Sequence, residues 1–491
     1  DLQIAGRSLF GARPAKGQEF SDQYFGVIPQ RVLSCMMEVE RELYKLGVPV
    51  RTRHNEAAPS QYEIAPLYEP SNLAVDHNHI IMATLRNVAK RYGLKCLLHE
   101  KPFSGINGSG KHVNYSIGNA ELGTLFDPGE TPHANAKFLV FCAAMIRAVH
   151  KFGGLLRATV ASAGNDHRLG AHEAPPAIMS IFLGDQLTEV FEAFRAGRIG
   201  DAANGKSGRV MNVGVDTLPP LPTDPGDRNR TSPVAFTGNR FEFRAVGSSQ
   251  SAAGSITALN AMMADSLGFA ADWLEREITS GTAFNAAVES FISHVIEEHS
   301  AVIFNGDGYS EVWHNEARRR GLPDLRNTPE ALPELTRPEV IALYEGQGVL
   351  NRAELKARQD IYLEQYCKTV RTEANLSIRM ARTIIFPAGM RYQGELAGTA
   401  AQLRAIGKDY KTMTLDEVTA HLRGLQTATA RLEDVLADVG QLGESLDAAQ
   451  RYCEEVLPLM KEVRHYADLL ETRVADDLWA LPNYQEILFG K

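Results

Sequence analysis

Polar and apolar residues alternate with a period of two in three short stretches and follow a helical period almost everywhere beyond residue 250. The short stretches are Gln61-Tyr62-Glu63, His112-Val113-Asn114-Tyr115-Ser116 and Arg240-Phe241-Glu242-Phe243-Arg244. A β-strand sends successive side chains to opposite faces. His112, Asn114 and Ser116 therefore share one face, with Val113, Tyr115 and Ile117 on the other. Arg240, Glu242 and Arg244 likewise share a face backed by Phe241 and Phe243. A solvated sheet face carries mainly Lys, Thr and Ser. Carboxylate, imidazole and guanidinium are instead the groups that hold divalent cations and anionic oxygens.

The periodicity predicts a helix from Pro29 to Leu46, stopped by Gly47, and a second from Asn72 to Arg91, stopped by Gly93. Between them VPVRTRHNE and QYEIAP read as strands. After Gly93 comes a strand LKCLLHEKPF, then the loop SGINGSG and the strand KHVNYSI. Helices are expected over Asn135–Phe152 and Pro176–Arg195, separated by a polar, Gly-punctuated loop over Ala161–Ala174. A long irregular stretch from Gly197 to Gly238 precedes RFEFR, and long loops inside a domain are usually functional. Near the C-terminus, Val418, Leu422, Leu425, Leu432, Val435 and Val439 form one apolar seam. Leu446, Ala449, Cys453, Val456, Met460, Val463, Ala467, Leu470 and Val474 form a second. With Gly440 and Gly443 between them they predict an antiparallel helical hairpin, its second arm kinked by Pro458.

Composition narrows the function class. A net charge of -9, from 51 basic and 60 acidic residues, argues against a nucleic-acid partner, and no dense Lys/Arg run offsets it. No apolar run approaches the roughly 20 residues of a membrane span, and no signal peptide is visible, so a cytoplasmic protein is expected. Cys35, Cys96, Cys142, Cys367 and Cys453 lack metal-ligand spacing and read as reduced core thiols. The chain opens at Asp1, without Met, in Gly/Arg-rich text that reads as the middle of a longer protein.

Four constellations carry candidate chemistry. Glu56 and Glu63 flank the turn Ala-Ala-Pro-Ser and either converge on a divalent cation or line a solvated face. Gly105-Ile-Asn-Gly-Ser-Gly-Lys-His112 fits the phosphate-loop pattern until His112, where Ser or Thr is required. Such a loop must also open a helix, and this one opens a strand. Its glycines are better read as a close approach to a small substrate, with His112 a metal ligand. Asn165-Asp166-His167-Arg168 and His172-Glu173 sit either in a capping loop or in a lid. Asp227-Arg228-Asn229-Arg230 adds two guanidiniums ahead of the Glu242 strand, enough with Arg240 and Arg244 to gather phosphate and carboxylate groups.

In these segments, RHNEAAPSQYEIAP, LLHEKPFSGINGSGKHVNYS, NDHRLGAHEAPP and NRFEFRAVGSSQS, the chain resembles glutamine synthetase of the large type III class. The resemblance implies an α+β fold: a curved, largely antiparallel sheet forming an active-site funnel, surrounding helices and a mostly helical C-terminal region. It places a catalytic domain at 1–260, a helical continuation at 261–395 and the helical hairpin at 396–491. The implied reaction is ATP-dependent ligation of L-glutamate and ammonia to glutamine through γ-glutamyl phosphate, at a site with two or more Mg2+ or Mn2+ ions.

Glu56 and Glu63 would hold the first metal, His112 and Glu242 the second. Asn107 and Gly108 would bind the main-chain groups of the amino acid and Arg168 its carboxylate. Glu173 would shield the intermediate and take a proton from ammonium. Asn114, Ser116 and Arg240 would contact the nucleotide, with Arg244, Arg228 and Arg230 on the phosphates. Homo-oligomeric rings are implied, with no nucleic acid or membrane as partner. The family also carries an upstream glutamate pair and an N-terminal domain that supplies the ammonium pocket. Neither lies within this chain, so on its own it is expected to be impaired or inactive. The rival readings are a γ-glutamyl amine ligase of the same fold, a non-catalytic homologue and, more distantly, a phosphate-loop NTPase.

Overall fold

Proline and glycine bracket the first two helices. Pro29 precedes α1 (Gln30–Lys45) and Pro70 precedes α2 (Ser71–Arg91), while Gly47 and Gly93 follow them at φ +76° and +64°. Proline has no N–H to lose in a first helical turn, and glycine accepts the left-handed conformation that ends one. The computed structural model describes residues 18, 22–103, 105–170, 172–197, 210–211, 221–222 and 231–481. Arg228 and Arg230 lie outside the described residues, as does the Gly/Arg-rich start.

Between α1 and α2, strands β1 (Val50–Asn55) and β2 (Tyr62–Pro66) form an antiparallel hairpin in which His54 stands opposite Glu63. This hairpin packs with α1 and α2 around a small core of Cys35, Val39, Leu43, Val48, Val50, Ile81, Val88 and Ala89. A four-stranded sheet follows, of β3 (Gly110–Tyr115), β6 (Ile181–Phe182), β9 (Val234–Phe236) and β10 (Phe241–Gly247), in the order β3-β10-β9-β6. Its first two pairings are antiparallel and the last is parallel. Besides the β1–β2 hairpin, two pairs of two-residue strands stand apart among the described residues, β4 (Gly118–Asn119) with β5 (Gly123–Thr124) and β7 (Val210–Met211) with β8 (Leu221–Pro222).

Two predicted elements differ. Residues 94–99 carry no strand pairing. Alternation there supplies two faces, but a strand also needs a partner edge, and here the backbone instead presents the Glu100 carbonyl to Ser109 N at 2.8 Å. The helix expected from Pro176 starts only at Asp185, because Ile181 and Phe182 pair with β9 and Gly184, at φ +78°, breaks the chain direction.

The remainder is helical: α3 (Ala136–Ala158), α4 (Ala163–Arg168), α5 (Asp185–Arg195), α6 (Ala253–Thr279), α7 (Phe284–His299), α8 (Glu311–Arg319), α9 (Thr328–Ala331) and α10 (Pro338–Gly346). It continues as α11 (Arg352–Met380), α12 (Phe386–Ala405), α13 (Met413–Val439), α14 (Leu446–Arg451) and α15 (Leu457–Glu471). By length and composition α3 could cross a membrane, contrary to the sequence reading, but it lies inside the large core formed with α6 and α7. Helix α6 runs through the expected boundary at residue 260 and α12 through that at 395. The predicted hairpin is present, α13 against α15, with Val418, Leu422, Leu425, Leu432 and Val439 buried.

Candidate active site

The β1–β2 turn gathers one set of groups. Glu56 N donates to Gln61 O at 2.9 Å and Ser60 takes φ +54°, which folds the six-residue turn so that both glutamates come to one side. Glu56 is 7% exposed. His54 Nε2 lies 2.8 Å from Glu56 Oε1 and 3.4 Å from Glu63 Oε2. Ligand atoms of these three residues all fall within 4.8 Å of one another. That spacing and the mixed carboxylate–imidazole donor set fit a divalent cation. His54 is not among the groups that the sequence analysis singles out. Counting register back from the turn would have placed it opposite Glu63.

The second set lies on the four-stranded sheet. Glu242 pairs across from Asn114, and His112 Nδ1 meets Glu242 Oε1 at 2.6 Å. Arg244 donates from Nε and Nη2 to Glu242 Oε2, each at 3.2 Å. Burial opposes ionisation of Glu242, but the hydrogen bonds and charges of His112 and Arg244 outweigh it and hold the carboxyl at about 2. The two sets are tied together by Gln61, whose Nε2 donates to Gly108 O at 2.6 Å and Ser109 Oγ at 3.0 Å.

Asn107 is buried and clamped, its Oδ1 accepting from Gln18 Nε2 at 2.6 Å and its N donating to Gln18 Oε1 at 2.9 Å. Its Nδ2 donates to Glu173 Oε2 at 3.1 Å. Glu173 and His172 hold φ +65° and +53°, a left-handed pair that non-glycine residues adopt only under constraint. The turn is thereby held against the loop that carries Asn107. Lys101 donates to the Ile106 carbonyl of the same loop, and burial, with Arg168 adding to it, brings its pKa down to about 8.

Other expected groups sit differently. Arg168 is 4% exposed and donates to Asn165 Oδ1 at 3.2 Å, Arg244 O at 2.9 Å and the carbonyls of Ala245 and Val246 at 3.4 Å. A buried guanidinium must satisfy its donors, and here it does so as a brace on β10. The expected close approach of Gly108 and Gly110 to a substrate is a close approach within the protein. A Cβ on Gly108 would stand 2.3 Å from Glu100 O, and one on Gly110 2.0 Å from Arg168 Nη2. Asn114 and Ser116 are exposed, as is Arg240, which donates to Asn114 Oδ1 at 3.0 Å, while Ser116 Oγ meets Thr124 Oγ1 at 2.6 Å.

Comparison with known proteins settles the family. The chain is 43% identical over 500 residues to the type-3 glutamine synthetase of Dictyostelium discoideum, which covers the whole of this chain and 67% of that protein. The chain belongs to the glutamine synthetase family. Its residues 7–180 match the family description "Glutamine synthetase, catalytic domain" and residues 287–404 "Glutamine synthetase C-terminal domain". A glutamine synthetase of Bacteroides fragilis (strain YCH46) is 38% identical over 499 residues, again along the whole chain and 68% of the relative. The chain thus spans about two thirds of the length of these glutamine synthetases. Among solved structures, apo GmaS overlaps 73% of this chain and 63% of its own at 15% identity and TM-score 0.44, too loose a likeness to build on.

Proposed function

We propose that this chain carries the ATP-dependent glutamate–ammonia ligase site of a type III glutamine synthetase, working through γ-glutamyl phosphate in nitrogen assimilation. The observation that carries this reading is the pairing of His54, Glu56 and Glu63 with His112, Glu242 and Arg244, two donor sets joined through Gln61. Two divalent ions, Mg2+ or Mn2+, held at Glu56 and Glu63 and at His112 and Glu242, would neutralise charge on the phosphates and the substrate carboxylate. His54 is added here to the first of those sets.

A carboxylate resists attack by ammonia because oxide is a poor leaving group, and phosphorylation replaces it with a good one. Arg244, with Arg240 and the sheet-face groups Asn114 and Ser116, would orient ATP and balance its charge. Asn107 and Gly108 would take the main-chain groups of glutamate. Glu173, bonded to Asn107, would keep water from the acyl phosphate and take a proton from ammonium, freeing ammonia to attack. Arg168 would reach a substrate carboxylate only after its bonds to the β10 carbonyls open, so positioning β10 is its better-supported part. The sheet would line a funnel, and assembly would be a homo-oligomeric ring.

The test is γ-glutamyl hydroxamate formation from glutamate, hydroxylamine and ATP with Mg2+ or Mn2+, on this chain and on a form extended to the length of its relatives. Activity in the extended form, reduced by at least about a hundredfold in Glu56→Gln, supports the ligase. A folded, metal-loaded extended protein with no ATP-dependent product would overturn it in favour of a non-catalytic homologue.

A further inference from the structure

Glu100 has no part in the chemistry above, yet three separate elements are cut back to make room for it. A Cβ on Gly108, in the loop before β3, would stand 2.3 Å from its carbonyl oxygen. A Cβ on Gly164, in α4, would stand 2.4 Å from Oε2, and one on Gly247, at the end of β10, 2.6 Å from Oε1. The side chain is 3% exposed. Oε1 accepts from Ser249 N at 2.9 Å and Ser249 Oγ at 2.5 Å, and the Glu100 carbonyl accepts from Ser109 N. Lys111 Nζ fixes the same turn from β3, donating to the carbonyls of Gly247, Ser248 and Gln250 at 3.2, 2.5 and 2.6 Å.

A carboxylate is a costly way to fill a protein interior, and this one also faces the largely buried ammonium of Lys111. What distinguishes this position is what the three glycine-bearing elements carry. The loop carries Asn107 and Gly108, α4 ends in Arg168, and β10 carries Glu242 and Arg244. Glu100 touches all three at the end remote from the exposed nucleotide-facing residues Asn114 and Ser116.

We propose that Glu100 is a positioning residue for the amino-acid side of the site, locking the glycine loop, α4 and the β10 turn into one geometry. The inference rests on the assignment of Asn107 and Gly108 to glutamate. Its carboxylate thereby sets the affinity for the amino acid far more than that for ATP, whose proposed contacts Asn114 and Ser116 lie at the other end of the sheet.

Two variants test it, in whichever form of the protein is active in the hydroxamate assay. Glu100→Gln keeps the shape and the Oε1 acceptor while removing the charge. Gly164→Ala sets a methyl 2.4 Å from Glu100 Oε2 and so displaces the carboxylate while keeping its charge, the overpacking cost being read separately as a change in Tm. The expected result in both is a glutamate KM raised on the order of tenfold, with ATP KM and kcat within about threefold of wild type. Equilibrium glutamate binding by calorimetry, weakened by the same factor, gives a readout independent of turnover. Unchanged glutamate KM in both variants overturns the proposal, whatever happens to Tm. So does a parallel rise in glutamate and ATP KM, which marks general loosening. An inactive wild type would remove the ligase reading and this inference together, whereas an active wild type with insensitive variants removes the inference alone.

Discussion

Partly buried carboxylates in this chain meet three different surroundings. Glu242 has an imidazole and a guanidinium on its two oxygens and stays ionised far into acid. Asp166 accepts from Arg157 Nη2 at 2.9 Å and from Thr328 N at 2.7 Å, yet its deeper burial outweighs those partners and raises its pKa. Asp468, on α15, has an oxygen with no hydrogen-bond partner among the described residues, and its cation, Arg464 Nε, is 3.6 Å away. Burial raises it to about 7; Arg464 opposes that rise and nearby Glu471 adds to it. A carboxyl whose folded pKa lies above its ordinary value of 3.8 favours the fold only while protonated. That contribution is complete below 3.8 and is lost as pH climbs to about 7. Asp468→Asn keeps the neutral shape, so thermal unfolding should show it equal to wild type near pH 4 and more stable near pH 8. After allowance for solvent screening, the gain is about 1–2 kcal/mol. Equal melting at both pH values would mean that Asp468 ionises freely in the folded state.

Among the helices, glycine and proline decide the contacts that apolar spacing leaves open. A Cβ on Gly424 of α13 would stand 2.2 Å from a ring carbon of Tyr466 on α15, so the two arms of the hairpin meet through a missing side chain. Gly424→Ala should improve helix propensity by about 1 kcal/mol and still lower stability by about 1–2 kcal/mol through overpacking. Denaturant unfolding of that variant beside Gly424→Ala/Tyr466→Leu checks it, and a stabilised single variant would refute the contact. At Pro458, where the sequence predicts a kink, the arm departs from regular α-helix. A π-helical turn, Tyr452–Val456, precedes the proline, just as Ala381–Ile385 precedes Pro387. The wider turn gives room for a ring that can neither donate nor sit close to the preceding carbonyls. The seams, the capped helices and the shared face of His112 and Glu242 were legible because each follows from local spacing. The unpaired stretch at 94–99, the brace made by Arg168 and the clearance around Glu100 were not, since each depends on which distant backbone arrives beside it.

Over the whole molecule the two candidate donor sets rest on different hydrophobic cores. His54, Glu56 and Glu63 belong to the hairpin packed on the small core of α1 and α2, and His112 and Glu242 to strands on the large core that reaches from Tyr115 to Trp479. The large core is further pinned where Arg157 and Asp166 meet Thr328. The small unit has fewer ties to it, among them the Gln61 bonds to Gly108 and Ser109 and a 3.0 Å contact of His79 Nε2 with Ser251 Oγ. A unit of about 60 residues buries only about 60% of its extended-chain surface and is marginal alone. It should therefore open before the large core does. Amide hydrogen exchange is expected to run faster through residues 30–96 than through α3, α6 and α7. Gln61→Ala removes two bonds, worth about 1–2 kcal/mol together, and should speed exchange in the small unit about tenfold while leaving α3 unchanged. Divalent cation should slow it again, because an ion held by His54, Glu56 and Glu63 would bind only the folded hairpin. Uniform protection across both cores, insensitive to Gln61 and to metal, would show that the two sets are held by one rigid body and that Gln61 does no more than fill a gap.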